Sequence, residues 1–150
     1  MKSAWLSGKL RQNFSKIVEM QGGDLEAFMT NYSLIQKELD NGEASDKVIV
    51  VKAAKSGKLE TVNGVAIGNF MVDLNAGRKV FGEPINHDVS MQWYLYPNQD
   101  IKEGDLVCKI YHPDFKNQNG KTAFKEDNDF GTTATHRILN ALAYSSDPAF

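Results

Sequence analysis

Apolar residues in the first part of the chain recur at intervals of three and four: Leu6, Leu10, Phe14, Ile17 and Val18, with the polar Gln21 closing the series. That spacing predicts an amphipathic α-helix, with Ser7 as its N-cap and Gly22 as its stop, because glycine enters the left-handed conformation without a Cβ penalty. Asp24 is placed to cap a second, short helix over the string LEAFM. The paired glycines at 22 and 23 turn the chain and let the new element begin beside the old one.

From Asn41 the pattern changes. NGEASD is a polar connector, and the β-branched run KVIVVKA reads as a strand. KSGK is a turn, and KLETVNG alternates as a second strand does. In GVAIGNFMVDLNAGR, the positions of Val65, Ile67, Phe70, Met71 and Leu74 suit a short helix ending near Gly77. DVSMQWYLYPN is strongly β-prone, and a turn at Glu103–Gly104 introduces the strand DLVCKIYH. Residues 113–131 read as irregular, and ATHRILNALAYSS as a helix turning into a short final strand. No internal repeat or low-complexity tract is evident.

Composition narrows the function classes. The 150 residues are 41% hydrophobic and 24% charged, as in an ordinary globular domain. A net charge of −2 provides no basic excess to displace counterions, so neither nucleic acid nor an anionic membrane is an expected partner. No apolar run approaches the roughly 20 residues of a membrane-spanning helix, and the opening MKSAWLSGKLRQ lacks the apolar centre of a signal peptide. A single cysteine, Cys108, cannot form an internal disulfide. A cytoplasmic location is therefore expected.

Candidate chemistry is sparse. His87, His112 and His136 are isolated and show no metal-ligand spacing, so they read as surface or internally satisfied histidines. Cys108 lies within a strand with nothing near it to depress its pKa, as suits a buried structural thiol. DNDFG, at 127–131, opens like a calcium loop, but Ile138 stands where the closing glutamate belongs. NAGRK, at 75–79, offers backbone amides and two cations to a phosphate without the glycine spacing of a phosphate-binding loop. Lys47, following Asp46, resembles the acylated lysine of lipoyl carriers. The helices before it, however, stand where a carrier needs its first half-barrel of strands. No catalytic, cofactor-binding or metal-binding residue is assigned, and no cofactor is expected.

Several strings together resemble the C-terminal portion of the thymidine phosphorylase and pyrimidine nucleoside phosphorylase family. SGKLRQNFSKIVEMQGGD is similar to the helix and Gln-Gly-Gly-Asp turn that precede the family's last domain. VVKAAKSGKLETVNGVAIGN resembles its Ala-x-x-Ser-Gly turn, strand and helix entry. NAGRKVFGEPINHDV resembles its Gly-x-Gly-Arg turn and acidic-Pro-Ile-Asp stretch, IKEGDLVCKIYH its final Gly-Asp hairpin, and HRILNALAYSSDPAF its closing segment. The chain departs from the pattern at Asn75, where a glycine or small residue is expected, at Asn86, at VSM, in the glycine-free turn PNQD, and in a longer loop from Asp114 to Thr132.

The resemblance implies an α+β, mainly β fold: a barrel-sandwich hybrid-like antiparallel domain with an N-terminal helical segment and short helices. Residues 1–40 would be the helical end of an upstream domain and 41–150 the β domain. The implied reaction is reversible phosphorolysis of pyrimidine nucleosides to base and (deoxy)ribose 1-phosphate. Its catalytic motifs lie upstream in the family, so phosphate and nucleoside would bind only in a complete enzyme. The expected role is accessory, with upstream domains of the same enzyme, or further copies of the chain through an exposed apolar helix stripe, as partners. A biotinyl- or lipoyl-like carrier using Lys47, or an interaction module using the helix and the MQWYLY strand, are the alternatives.

Overall fold

The computed structural model describes residues 8–115 and 130–144. The chain divides into two units, Met1–Gln36 and Lys37–Phe150.

The first unit contains helix α1, Lys9–Met20, and the larger part of α2, Leu25–Asn41. Leu6 and Ser7 lie outside the described residues. The N-cap is Gly8, left-handed at φ 70° and without a side-chain capping bond. At the other end of α1, the Gly22 N–H donates to the Glu19 carbonyl at 3.0 Å and the Gly23 N–H to the Val18 carbonyl at 2.9 Å. This pair of bonds is the Schellman closure of a helix. The two glycines answer different demands. Gly22 has φ 75°, whereas a Cβ on Gly23 would meet Val18 Cγ1 at 2.8 Å and the Val18 carbonyl oxygen at 3.1 Å.

Asp24 caps α2 as expected, its Oδ1 accepting from the Ala27 N–H at 2.9 Å. The helix then runs for 17 residues rather than ending after LEAFM. Its apolar stripe, Leu25, Met29, Tyr32, Ile35 and Leu39, keeps helical spacing, and neither glycine nor proline interrupts it before Gly42. The Phe14 and Phe28 rings meet at 5.3 Å between centroids, and Phe28 stacks along Tyr32 at 6.4 Å.

The second unit contains a 3-10 turn at Gly42–Ala44, strands β1 (Val48–Lys52) and β2 (Gly57–Val62), and helix α3 (Gly64–Asp73). Strands β3 (Ser90–Trp93), β4 (Asp100–Ile101) and β5 (Leu106–Tyr111) follow, then helix α4 (Phe130–Asn140) and strand β6 (Leu142–Tyr144). The final helix-to-strand passage is as the pattern predicts, and Asn63 caps α3 by accepting from the Ala66 N–H at 3.0 Å. The strands form two antiparallel three-stranded sheets, β1-β5-β3 and β4-β2-β6. Cys108 on the central β5 stands opposite both Val51 and Trp93.

The fold is thus α+β, but not mainly β: among the described residues the helices contain more residues than the strands. No closed barrel is present among these residues. Of the segment expected to be irregular, residues 116–129 lie outside the described part, and Phe130 already opens α4.

Both sheets bury residues in one core. Val51, Val107 and Ile110 come from the first sheet, Leu59 and Ile101 from the second, Phe70 and Leu74 from α3, and Ala134 and Ile138 from α4. Full burial of such a side chain stabilises by about 1.5–3 kcal/mol. The chain passes from one sheet to the other at every connection from β1 to β6, and two of these crossings, β1 to β2 and β4 to β5, are bonded together. Ala53 donates its N–H to the Asp105 carbonyl at 2.8 Å and accepts from the Gly104 N–H at 2.9 Å. Ser56 Oγ accepts from the Glu103 N–H at 2.9 Å, while Asp105 Oδ2 accepts from the Lys102 N–H at 2.8 Å. Gly104, at φ 87°, makes the turn between them.

His112, 4% exposed, closes β5. Its N–H reaches the Lys47 carbonyl at 3.0 Å, its Nδ1 accepts from the Asp114 N–H at 3.1 Å, and its ring stacks on Phe115 at 5.2 Å. Burial is the largest influence and holds its pKa below the ordinary value; the Asp114 charge and a hydrogen bond to the Leu74 backbone pull the other way. An unfolded imidazole takes its proton near about pH 6.5. The contribution of His112 is therefore complete above that pH and declines as pH falls below it, where the unfolded chain binds more protons.

Two predictions follow from this geometry. Among the described residues, Asn75 and Asn98 are the non-glycine residues with positive φ, at 63° and 65°. Asn75→Ala or Asn98→Ala is expected to lower stability by about 1 kcal/mol in urea unfolding, and glycine at either position to lower it far less. Equal effects of alanine and glycine would refute the backbone explanation. Unfolding free energy is also expected to fall between pH 7.5 and pH 5.5, with a shallower slope in His112→Gln than in the parent. An identical slope in both would remove His112 as the cause.

Candidate functional site

Polar chemistry in the second unit gathers where α3 ends and the connection to β3 begins. Leu74 N–H bonds to the Phe70 and Met71 carbonyls, both at 3.1 Å, and Asn75 N–H to the Val72 carbonyl at 2.9 Å. The left-handed Asn75 then reverses the chain, and its carbonyl accepts from the Asn86 N–H at 2.8 Å. Residues 75–86 are thereby closed into a loop. A Cβ on Gly77 would come within 2.9 Å of Val72 Cγ2, so the loop packs directly against the helix it leaves.

Asp73, in the last turn of α3, receives Lys79 Nζ at 2.7 Å and Arg137 Nη2 of α4 at 2.7 Å. The Arg137 guanidinium also lies over the Phe70 ring, 5.0 Å from its centroid. Burial works to raise the Asp73 pKa, but hydrogen bonds from Lys79 and Arg137, with their charges, outweigh it and hold the carboxyl below its ordinary value. Within the loop, Arg78 Nε donates to the Glu83 carbonyl at 2.9 Å. Glu83 Oε2 accepts from the Lys79 N–H at 3.2 Å and the Val80 N–H at 3.1 Å.

In and beside NAGRK, Arg78 Nε is thus taken by a backbone carbonyl, while the Lys79 ammonium and the Lys79 and Val80 amides are engaged by acids of the chain itself. Glu83 supplies the negative charge that a phosphate would have brought to those amides, and Asp73 engages Lys79. A shallow depression of about 460 Å³ borders the loop, lined by Asn75, Lys79, Glu83, Pro84, Ile85 and Asn86. At the tip, Val80 is exposed and Phe81 is 99% exposed. The loop is tied internally and presents an aromatic ring to solvent.

The other candidates are dispersed. His87 and His136 are exposed, and His112 is enclosed by its structural bonds. Cys108 is fully buried, and burial pushes its thiol up to about 12, so no reactive thiolate forms near neutral pH. Lys47 is half-buried and follows a 3-10 turn rather than a strand; β1 pairs with the distant β5. A swinging cofactor needs a lysine at a protruding hairpin tip, and Lys47 does not occupy one. Residues 127–129 of the acidic turn lie outside the described part. Among the described residues, no group of three or more His, Cys, Asp or Glu side chains is arranged to hold a metal ion. The Asp73–Arg137 pair has no signature in local spacing, since its members meet only when α3 and α4 share the core. Glu83 had one signal, its place in the acidic-Pro-Ile string.

Residues 58–130 match the family model of the pyrimidine nucleoside phosphorylase C-terminal domain. Over 141 residues, 94% of the chain, the sequence is 21% identical to a thymidine phosphorylase from Colwellia psychrerythraea (strain 34H / ATCC BAA-681). The chain spans 28% of that relative's length. The matched stretch takes in β2 from its second residue, α3, the tied Asn75–Asn86 loop and β3 to β5. Over residues 58–130 the chain therefore carries a C-terminal domain of the pyrimidine nucleoside phosphorylase family.

Proposed function

We propose that the chain is an accessory, non-catalytic part of a thymidine or pyrimidine nucleoside phosphorylase, with the phosphorolytic site formed by other domains of the enzyme. The observation that carries this reading is the use made of the resembling residues. Ser56, Gly104 and Asp105 join the two sheet crossings, Asn75 reverses the chain, and Glu83 satisfies the loop amides. Phosphorolysis needs cations free to receive phosphate and groups that hold the pyrimidine. Here Lys79 and Arg137 are committed to Asp73.

The two sheets sharing one core, with the β1–β2 and β4–β5 crossings bonded together, support reading the domain as an open form of the barrel-sandwich hybrid. The buried free Cys108 supports a reducing, cytoplasmic setting. Among the described residues no helix is long and apolar enough to cross a membrane. The partners on this reading are the catalytic domains of the enzyme, with phosphate and nucleoside bound there. The carrier alternative has no support in the placement of Lys47.

Two constructions test the proposal by phosphate-dependent release of thymine or uracil from nucleosides. The purified chain alone is expected to release neither base. A chimera in which this chain replaces the matching segment of the Colwellia thymidine phosphorylase is expected to retain phosphorolysis. Release by the isolated chain would overturn the non-catalytic assignment, and a folded but inactive chimera would overturn the accessory role.

A further inference from the structure

His112 stands where the end of β5, the residue before β1 and the end of α3 converge. Its backbone N–H donates to the Lys47 carbonyl at 3.0 Å, and its ring is bonded on both sides. Nδ1 accepts from the Asp114 N–H at 3.1 Å, so the hydrogen bond to the Leu74 backbone falls to Nε2, which donates it. The two bonds fix the neutral tautomer that carries its proton on Nε2. The turn beyond the ring is closed around it. Pro113 presets the first corner, the Phe115 N–H reaches the His112 carbonyl at 3.4 Å, and the Phe115 ring stacks on the imidazole at 5.2 Å.

The geometry points to His112 as a proton-operated catch: the neutral ring holds the 112–115 turn closed, and a second proton on the ring opens that turn while leaving the ring attached to α3. The two sides respond oppositely because an imidazolium has a donor at each nitrogen and no acceptor. At Nδ1 the new N–H faces the Asp114 N–H, so two donors oppose one another and that bond is lost. At Nε2 the positive charge strengthens the bond to the Leu74 carbonyl. The Asp114 side chain, on an exposed residue, supplies the acceptor that its own amide cannot, and turning it toward Nδ1 requires the turn to open.

The charges on the surrounding elements are otherwise engaged. Asp73, beside Leu74 on α3, holds Lys79 and Arg137. Glu38 accepts from Ser45 Oγ at 2.6 Å, and Glu38, Asp88 and Asp114 act on the neighbouring Tyr111 hydroxyl. Lys47, before β1, contributes its carbonyl. On the ring itself burial opposes protonation and outweighs the Asp114 charge and the Leu74 bond, which favour it. The catch is therefore closed at neutral pH and opens below about pH 6.5, the ordinary imidazole value. This inference is independent of where phosphorolysis takes place.

Nuclear magnetic resonance of the full chain between about pH 8 and pH 5 tests it. The Asp114 amide signal is expected to move with the same midpoint as the His112 ring, below about pH 6.5, while the Leu74 and Asn75 amides keep their slow hydrogen exchange. Asp114→Asn retains the amide and removes the carboxylate, so the shared midpoint is expected to fall. His112→Gln offers an acceptor that does not titrate, and the Asp114 amide is expected to lose its pH dependence in this range. The proposal is overturned by a ring that takes no proton in the range, or by an Asp114 amide that stays fixed while the ring titrates. Loss of protection at Leu74 and Asn75 at the ring's midpoint overturns it too, since that marks general acid unfolding. A midpoint unmoved by Asp114→Asn removes the part given to the carboxylate. The parent chain's ring and amide titrations decide the matter even where His112→Gln fails to fold.

Discussion

The second unit depends on a hydrogen-bonded junction between two turns. Ala53 is bonded through both its N–H and its carbonyl to the Gly104–Asp105 turn, and Ser56 receives the Glu103 N–H. At this junction the chain passes from the first sheet to the second and, some fifty residues later, back again. Buried backbone polar groups need partners, and the two crossings supply one another's. The register shift between Val51 and Lys52 occurs immediately before the junction, where β1 must leave β5. With the crossings locked, Val51 and Val107 face the same interior as Leu59 and Ile101. The two short sheets then bury one core.

A similar economy governs the left-handed positions. The family pattern calls for glycine or a small residue near the start of the loop after α3 and for glycine in the turn before β4. This chain places asparagine at both. Asn75 and Asn98 adopt φ 63° and 65°, a conformation that asparagine tolerates better than other side chains bearing a Cβ. The Asn98 N–H bonds to the Leu59 carbonyl at 2.8 Å, and the Leu59 N–H to the Gln99 carbonyl at 2.9 Å. Asparagine at both positions thus holds a left-handed backbone that glycine would also allow.

Charge pairing within the chain engages the Lys79 cation and the Lys79 and Val80 amides of the loop after α3. Asp73 joins α3 to α4 through Arg137 and to the loop through Lys79, and Glu83 closes the loop on itself. Partly exposed pairs of this kind contribute little stability each. Their larger effect is geometric, because they orient the loop that carries Phe81.

The sequence by itself determined the local elements. The Gly22–Gly23 stop, the Asp24 cap, the alternation through β1 and β2, the α3 helix and the final helix-to-strand passage all follow from spacing, capping chemistry and backbone freedom, which act over a few residues. It also carried the family resemblance, because short strings around turns reflect backbone requirements that tolerate little change. Only the tertiary structure decided which turns meet, that Asp73 pairs with Arg137, that His112 is enclosed, and that NAGRK is answered by Glu83 and Asp73. Those outcomes depend on residues distant in the chain sharing one core, and hydrophobic periodicity reports which face of an element is buried without saying what buries it. The full length of α2 lay between the two cases: its stripe was present in the sequence, but polar residues within it obscured the continuation until Leu39 was seen to be buried.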